Sequence, residues 1–211
     1  MAMRAARLSY EIVIVDDDSG DGIAEAVDAL RSHQFDVTLI VRKQVRDLSS
    51  AVLAGVFQAT GDVLVVMDAD LSHPPAIIPD LVAPIARDEA DFVIGSRFVA
   101  GGSAGFSNNY RRLSALAARM LARPLTAVND PMAGFFAFHR RLLTSRVILN
   151  PLGFKVGLEI IVKAAPRRIT EIGIRFQNRR HGESKLSLKE QANYLIHVGR
   201  LYGYKFGRRR R

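Results

Sequence analysis

The sequence predicts an α/β fold, a mostly parallel sheet with helices on both faces. Three observations carry that prediction. Short β-branched runs alternate with helix-period segments through the first half of the chain. Strands that alternate with crossover helices pair in parallel and are covered on both sides. The 211 residues are 48% hydrophobic and 24% charged, which suits one globular domain of ordinary size.

The elements follow in order. EIVIV (11–15) reads as a buried strand, and GIAEAVDALRSH after it sets Ile23, Ala26, Val27 and Leu30 at helical spacing. DVTLIV (36–41) is the second strand and SSAVLAGVFQAT (49–60) the second helix, with Ser49 as its N-cap. DVLVVM (62–67) is the third strand, AIIPDLVAPIAR (76–87) a helix, and DFVIGS (91–96) the fourth strand. In the second half, NNYRRLSALAARML (108–121) reads as a helix and NDPMAGFFAF (129–138) as a turn into a strand. GLEIIVKAA (157–165) is a helix, ITEIGIRF (169–176) a strand and FQNRRHGESKLS (176–187) a polar, basic loop. The last segment, SLKEQANYLIHVGRLYGYKF, aligns Leu188, Ala192, Leu195, Gly199, Tyr202 and Phe206 in one apolar stripe, with Lys189, Glu190, Asn193, His197 and Arg200 elsewhere. It reads as a surface helix packed on the domain, or as an interfacial helix resting on anionic lipid with the arginines at 208–211 beside it. No internal repeat or low-complexity linker divides the chain.

The bulk properties narrow the function classes. There is no cysteine, so disulfides and thiolate metal sites are excluded. No apolar run reaches the roughly 18 residues of a membrane-spanning helix, and the first residues lack a signal-peptide core; both favour a cytoplasmic location. The net charge of +9 admits nucleic acid, anionic membrane or phosphorylated small molecules. An aromatic content of 8% and the absence of any nucleic-acid module weigh against the first.

Ligands of such sheets bind at the carboxyl ends of the strands. Asp16-Asp17-Asp18, Asp68 with Asp70, and Ser96-Arg97 all fall there. Extended residues i and i+2 point the same way, so Asp68 and Asp70 can converge on one cation. Mg²⁺ and Mn²⁺ prefer oxygen, and Mg²⁺ takes one or two carboxylates while phosphates and water complete its shell. The plainer alternative is that one aspartate caps the following helix. A carboxylate of the VDDDS cluster (15–19) can accept from a nucleobase or ribose, and Arg97 can hold a phosphate bidentately. Acid, acid and arginine at three strand ends describe a nucleotide-diphosphate site.

Six ordered stretches carry a family resemblance: IVIVDDDSGDG, GDVLVVMDADLSHPP, FVIGSRFVAGG, DPMAGFFAFHR, NPLGFKVGLEI and RRHGESKLSLKE. Together they resemble the inverting family 2 glycosyltransferases, specifically the dolichol-phosphate (polyprenyl-phosphate) mannosyltransferase group. The resemblance implies a GT-A-like nucleotide-diphospho-sugar transferase fold over residues 1–186, with 187–211 as a basic amphipathic C-terminal helix. It implies transfer of a sugar, mannose from GDP-mannose foremost, onto a polyprenyl phosphate. Asp68 and Asp70 would hold Mn²⁺ or Mg²⁺, and Asp16 and Asp17 would sit at the nucleoside. Arg97 would contact the donor diphosphate or the acceptor phosphate, and Asp130 would lie at the donor sugar. Arg179, Ser184 and Lys185 would hold phosphate groups. Asp70, Arg97 and Asp130 form the implied catalytic set. His73 and His181 read as loop hydrogen-bonders, with His181 kept as a minor candidate. The implied setting is peripheral, on the cytoplasmic face of an anionic membrane, with a membrane subunit as a possible partner.

Three departures from the family pattern set further expectations. The family opens with a strand carrying a P-T-Y-N-E-type motif, and no such strand precedes AARLSYEIVIV here. Since that strand lies inside the sheet, its loss should expose an edge and open the pocket. Ser72 stands where the family has Gln, and Asp47 where it has Gly. The alternative function is therefore an inactive, truncated homologue that binds membrane or a partner.

Overall fold

The computed structural model describes residues 8–44, 46–105, 109–153, 155–176 and 188–207. Its architecture is α/β, as expected, with the sheet in two pieces. Strands β1 (Ile12–Asp16) and β2 (Val37–Val41) pair in parallel, Ile12 opposite Val37 through Asp16 opposite Val41. The second piece has four strands in the order β3 (Val63–Val66), β5 (Phe136–His139), β4 (Phe92–Ser96), β6 (Ile169–Gly173). There β5 runs against both β3 and β4, while β6 is parallel to β4, so three strands share one direction. Nothing local in NDPMAGFFAF signals that β5 inserts between two strands that precede it.

The helices are α1 (Ile23–Ser32), α2 (Leu48–Gln58), α3 (Ile78–Ala86), α4 (Asn109–Ala122), α5 (Val156–Ala164) and α6 (Leu188–Gly207). One cap differs from expectation. The N-cap of α2 is Asp47, whose carboxylate accepts from the Ser50 N–H at 2.8 Å. Ser49 is buried within the first turn and donates instead to the Gly153 carbonyl. A carboxylate one residue earlier satisfies an orphan helix donor and leaves the serine free to anchor a distant loop.

The period-2 register fixes both faces of the larger piece. Leu64, Phe92, Ile94, Phe136 and Phe138 face α2 and α5, packing with Val56, Val156, Ile160 and Ile161. Phe92 lies nearly parallel to both Phe136 and Phe138, with ring centroids 5.3 and 5.9 Å apart. The opposite face, with Val63, Val65, Val93 and Ala137, is covered by Leu81 and Ile85 of α3.

Helix α2 spans both pieces. Its Gly55 lies against β1, where a Cβ would stand 3.3 Å from Val15 Cγ2, while Val52, Leu53 and Val56 enter the core beneath the larger piece. The Glu11 carboxylate adds a second tie, accepting from the Thr60 N–H and hydroxyl and the Gly61 N–H at 2.6, 2.7 and 3.0 Å. No described strand pairs with the second edge of β1 or of β3. β1 is half-buried along its length, not buried as its apolar run predicts, whereas β4 is buried at every position.

The apolar stripe of the C-terminal helix needs correction. α6 buries Tyr194, His197, Val198 and Leu201 against Ala122, Leu125, Leu158 and Val162. Of the expected stripe, Ala192, Leu195, Gly199 and Phe206 are exposed, and Tyr202 is half-buried. Two rows at helical spacing coexist in this segment, and the shape of α4 and α5 selects between them. His197, expected on the polar face, is buried.

Three arginines are structural. Arg141 and Arg168 each reach Asp88 and Asp91 at 2.7–3.1 Å, where the chain enters β4. Arg140 donates to the carbonyls of Gly61 and Ala59.

Candidate functional site

Strand β3 ends at Val66, so Asp68 and Asp70 lie in the bend beyond it rather than in extended chain. Leu71, at φ +62°, turns the backbone, and the Asp70 carboxylate accepts from both the Ser72 N–H (3.0 Å) and the Ser72 hydroxyl (2.5 Å). Ser72 is fully buried, so the serine that replaces the family's glutamine acts as a fixed support for Asp70. Neither aspartate caps a helix: α3 and the 3₁₀ turn before it, Pro75–Ile77, have no side-chain cap. The capping alternative is therefore not the arrangement found.

Asp68 stands beside the buried His73, whose Nδ1 is 4.0 Å from its Oδ2. The His73 ring is held between Phe135 and Phe176 at centroid distances of 5.2 and 5.3 Å. Behind the carboxylate lies Gly134, where a Cβ would come within 3.2 Å of Asp68 Oδ2. The side chain of Asp68 is 28% exposed. Among the described residues no group of three or more His, Asp or Glu side chains could hold a metal ion, so a hard divalent cation on these carboxylates would take its remaining ligands from phosphate and water.

Arg97, at the end of β4, is held from behind. Its backbone N–H and Nε donate to Asp130 Oδ2 at 3.0 and 2.8 Å, and a terminal nitrogen donates to Oδ1 at 2.8 Å. Asp130 is 1% exposed, so its carboxylate positions Arg97. Glu171 of β6 fixes Asp130 in turn, accepting from the Asn129 and Asp130 N–H groups at 2.7 and 3.0 Å. The guanidinium lies over Phe98 and Phe176, 5.4 and 5.6 Å from their centroids.

Lys155, the residue that precedes α5, belongs to the same group and was missed in the sequence reading. Burial pushes its ammonium down to about 8, with Arg97 pushing the same way and Asp130, Asp68 and Glu190 opposing. The signal was present: a lysine inside NPLGFKVGLEI, directly before an apolar helix.

Asp16 and Asp17 end β1 on the smaller piece of sheet. Asp16 closes its own turn, accepting from the Ser19 N–H at 3.1 Å. Asp17 accepts from Arg42 Nε at 2.7 Å, and Arg42 also reaches the Ser50 hydroxyl and the Asp47 carbonyl. The structure thus gathers Asp68, Arg97, Asp130 and Lys155 on the larger piece and puts Asp16 and Asp17 at the strand end of the smaller one. Arg179, His181, Ser184 and Lys185 lie outside the described residues.

Comparison with known proteins gives the family. The profile of the family described as Glycosyl transferase family 2 matches residues 2–147. A dolichol-phosphate mannosyltransferase of Pyrococcus furiosus is 43% identical over 198 residues, covering 92% of this chain and 55% of that protein. One from Saccharomyces cerevisiae is 43% identical over 207 residues, covering 93% of this chain and 76% of that protein. The chain thus spans little more than half of the archaeal relative and about three quarters of the yeast one. Among solved structures, glucosyl-3-phosphoglycerate synthase of Mycobacterium tuberculosis, in complex with Mn²⁺, UDP-glucose and phosphoglyceric acid, aligns with a TM-score of 0.62 at 20% identity. That alignment covers 89% of this chain and 68% of the other, and it is a likeness of fold.

Proposed function

The chain belongs to glycosyl transferase family 2, and from that premise we propose that it moves a sugar, mannose from GDP-mannose foremost, onto a polyprenyl phosphate. The observation that carries the reading is the cluster of Asp68, Arg97, Asp130 and Lys155 at the carboxyl ends of the strands, in a chain 43% identical to dolichol-phosphate mannosyltransferases. A divalent cation, Mn²⁺ or Mg²⁺, bound by Asp68 and Asp70 would neutralise the donor diphosphate.

The acceptor phosphate is already anionic near neutral pH, so the reaction needs no strong general base. Its oxygen attacks the anomeric carbon while the bond to the nucleoside diphosphate breaks, and no proton has to move. What the protein must supply is positive charge for two anions that approach each other. Arg97, aimed by Asp130, and Lys155 supply it from fixed positions. Arg179, Ser184 and Lys185 are proposed as further phosphate contacts, and Asp16 and Asp17 as the nucleoside end. The family's role for Asp130 at the donor sugar becomes, on this geometry, the orientation of Arg97.

Calorimetric titration of GDP, and separately UDP, with Mn²⁺ and with EDTA is the test. Metal-dependent binding of one nucleotide is expected, lost in Asp68→Ala and Asp70→Ala and weakened about tenfold in Lys155→Met. Unchanged binding in both aspartate variants sinks the metal assignment.

A second reading, an inactive homologue that binds membrane, draws on an exposed apolar face. It shares one surface with the first reading. Helices α4 and α6 lie side by side, joined by hydrogen bonds from the Tyr194 hydroxyl to the Ala118 carbonyl (2.6 Å) and the Tyr202 hydroxyl to the Leu121 carbonyl (2.9 Å). Leu113 and Met120 on α4 are 66% and 64% exposed, and Leu195 and Ile196 on α6 are 56% and 51% exposed. No described helix is long and apolar enough to cross a membrane. We place this face on anionic lipid, which makes the protein peripheral, on the cytoplasmic side. Leu113→Glu with Leu195→Glu should abolish salt-sensitive binding to phosphatidylserine vesicles. Vesicle binding without sugar transfer under any condition selects the second reading.

A further inference from the structure

Arg119 lies in the last turn of α4, outside the six stretches that carry the family resemblance. The residue is half-buried, and two contacts fix its guanidinium. A terminal nitrogen donates to Asn129 Oδ1 at 2.6 Å, and the guanidinium carbon stands 5.6 Å from the centre of the Phe98 ring. The guanidinium carbon of Arg97 stands 5.4 Å from the same centre. The two guanidinium carbons are therefore no further apart than those two distances together.

These contacts close a ring. Asp130 holds Arg97 and follows Asn129 in the chain, Arg119 holds Asn129, and Phe98 lies against both arginines. Glu171 braces the ring at its midpoint, accepting from Asn129 Nδ2 at 2.9 Å besides the two backbone N–H groups. The Asn129 amide thus lies between a cation and an anion. Its oxygen faces the guanidinium and its nitrogen the carboxylate; the reverse orientation would set donor against donor and acceptor against acceptor. Each group polarises the next, which strengthens both bonds. The charges follow the same order. Two guanidinium groups around one phenyl ring repel each other. Asp130 balances Arg97 directly, and Glu171 balances Arg119 through Asn129.

We propose that Arg119 is a positioning residue for Arg97. From α4 it fixes the side chain of Asn129, and so the loop that carries Asp130, and it braces the ring on which Arg97 lies. Without it, Asn129 loses the cation that orders its amide, and Phe98 loses one of the cations packed on it. Asp130 then aims the Arg97 fork less tightly. That the fork is aimed at a diphosphate rests on the transferase reading; that Arg119 aims it does not.

The test is an NMR measurement on the full chain with ¹⁵N-labelled arginine, following solvent exchange of the Arg97 Nε–H, assigned by its loss in Arg97→Lys. That proton is bonded to a buried carboxylate, so its exchange is slow in the parent protein and reports the aim of the fork. Expected is exchange about tenfold faster in Arg119→Gln. Arg119→Lys, which keeps a donor for Asn129 Oδ1, should recover part of the protection. Arg123→Gln is the control, because Arg123 donates to the Ala127 carbonyl, at 2.8 Å, in the same connection. It removes the same charge from the same end of α4 and should leave the exchange unaltered. Parental exchange in Arg119→Gln, or equal acceleration in Arg123→Gln, overturns the proposal. Calorimetry with Mn²⁺ and GDP or UDP on the same variants separates the two readings. Binding weakened by Arg119→Gln ties the ring to the diphosphate. A parent protein that binds neither nucleotide removes the transferase reading and leaves the exchange result to decide the role of Arg119.

Discussion

Glu171 shows how far a single side chain acts from the chemistry it serves. Its two oxygens hold the Asn129–Asp130 backbone, Asp130 holds Arg97, and Arg97 faces the proposed diphosphate. Two consecutive sets of contacts therefore set the direction of one guanidinium. Glu171→Gln keeps the shape and removes the charge that these N–H groups favour, and should cost about 1.5–3 kcal/mol of stability. It should also raise the KM for donor more than a surface change of equal stability cost. Urea unfolding beside donor kinetics checks this, and an unaltered KM would show that Arg97 is aimed without Glu171. Of this chain, Arg97 and Asp130 were legible as separate motif residues. Their bidentate pairing was not, because 33 residues separate them and only the fold joins β4 to the loop before β5.

At the scale of the element, α2 does the most unexpected work. It carries the cap that sequence placed at Ser49, and it packs on both pieces of sheet. Asp47→Ala removes the side-chain acceptor for the Ser50 N–H and should cost about 1 kcal/mol. Asp47→Gly, the family's residue, should cost only a few tenths. Thermal melts of the two variants compare them directly, and equal losses would count against the capping role. The C-terminal helix teaches the complementary lesson. Its apolar residues were all visible, but two rows at helical spacing competed, and the helix turned Tyr194, Val198 and Leu201 inward because α4 and α5 offer a matching surface there.

For the whole molecule, the acid stability should reflect one ion cluster at the start of β4. Hydrogen bonds from Arg168 first, and from Arg141, hold Asp88 down to about 2 and Asp91 lower still. Both folded values lie below the unfolded one, so their contribution is fully present above about pH 4 and is lost as pH falls through the folded values. Asp91→Asn should flatten the fall in stability between about pH 4 and 2. Parallel pH profiles for the variant and the parent protein would remove the cluster from the account.

At the same scale, the sequence by itself determined the class of fold, the order of strands and helices, the family, and the acidic and basic residues at three strand ends. These are local matters, since hydrophobic period and motif spacing are written within a few residues of one another. The tertiary structure alone decided that β5 inserts antiparallel between β3 and β4, that Asp130 stands behind Arg97, that Lys155 joins the site, and that Arg97 and Arg119 share the ring of Phe98. Each of these depends on residues far apart in the chain meeting at a distance of a few ångströms, and what selects the meeting is the packing of the whole core.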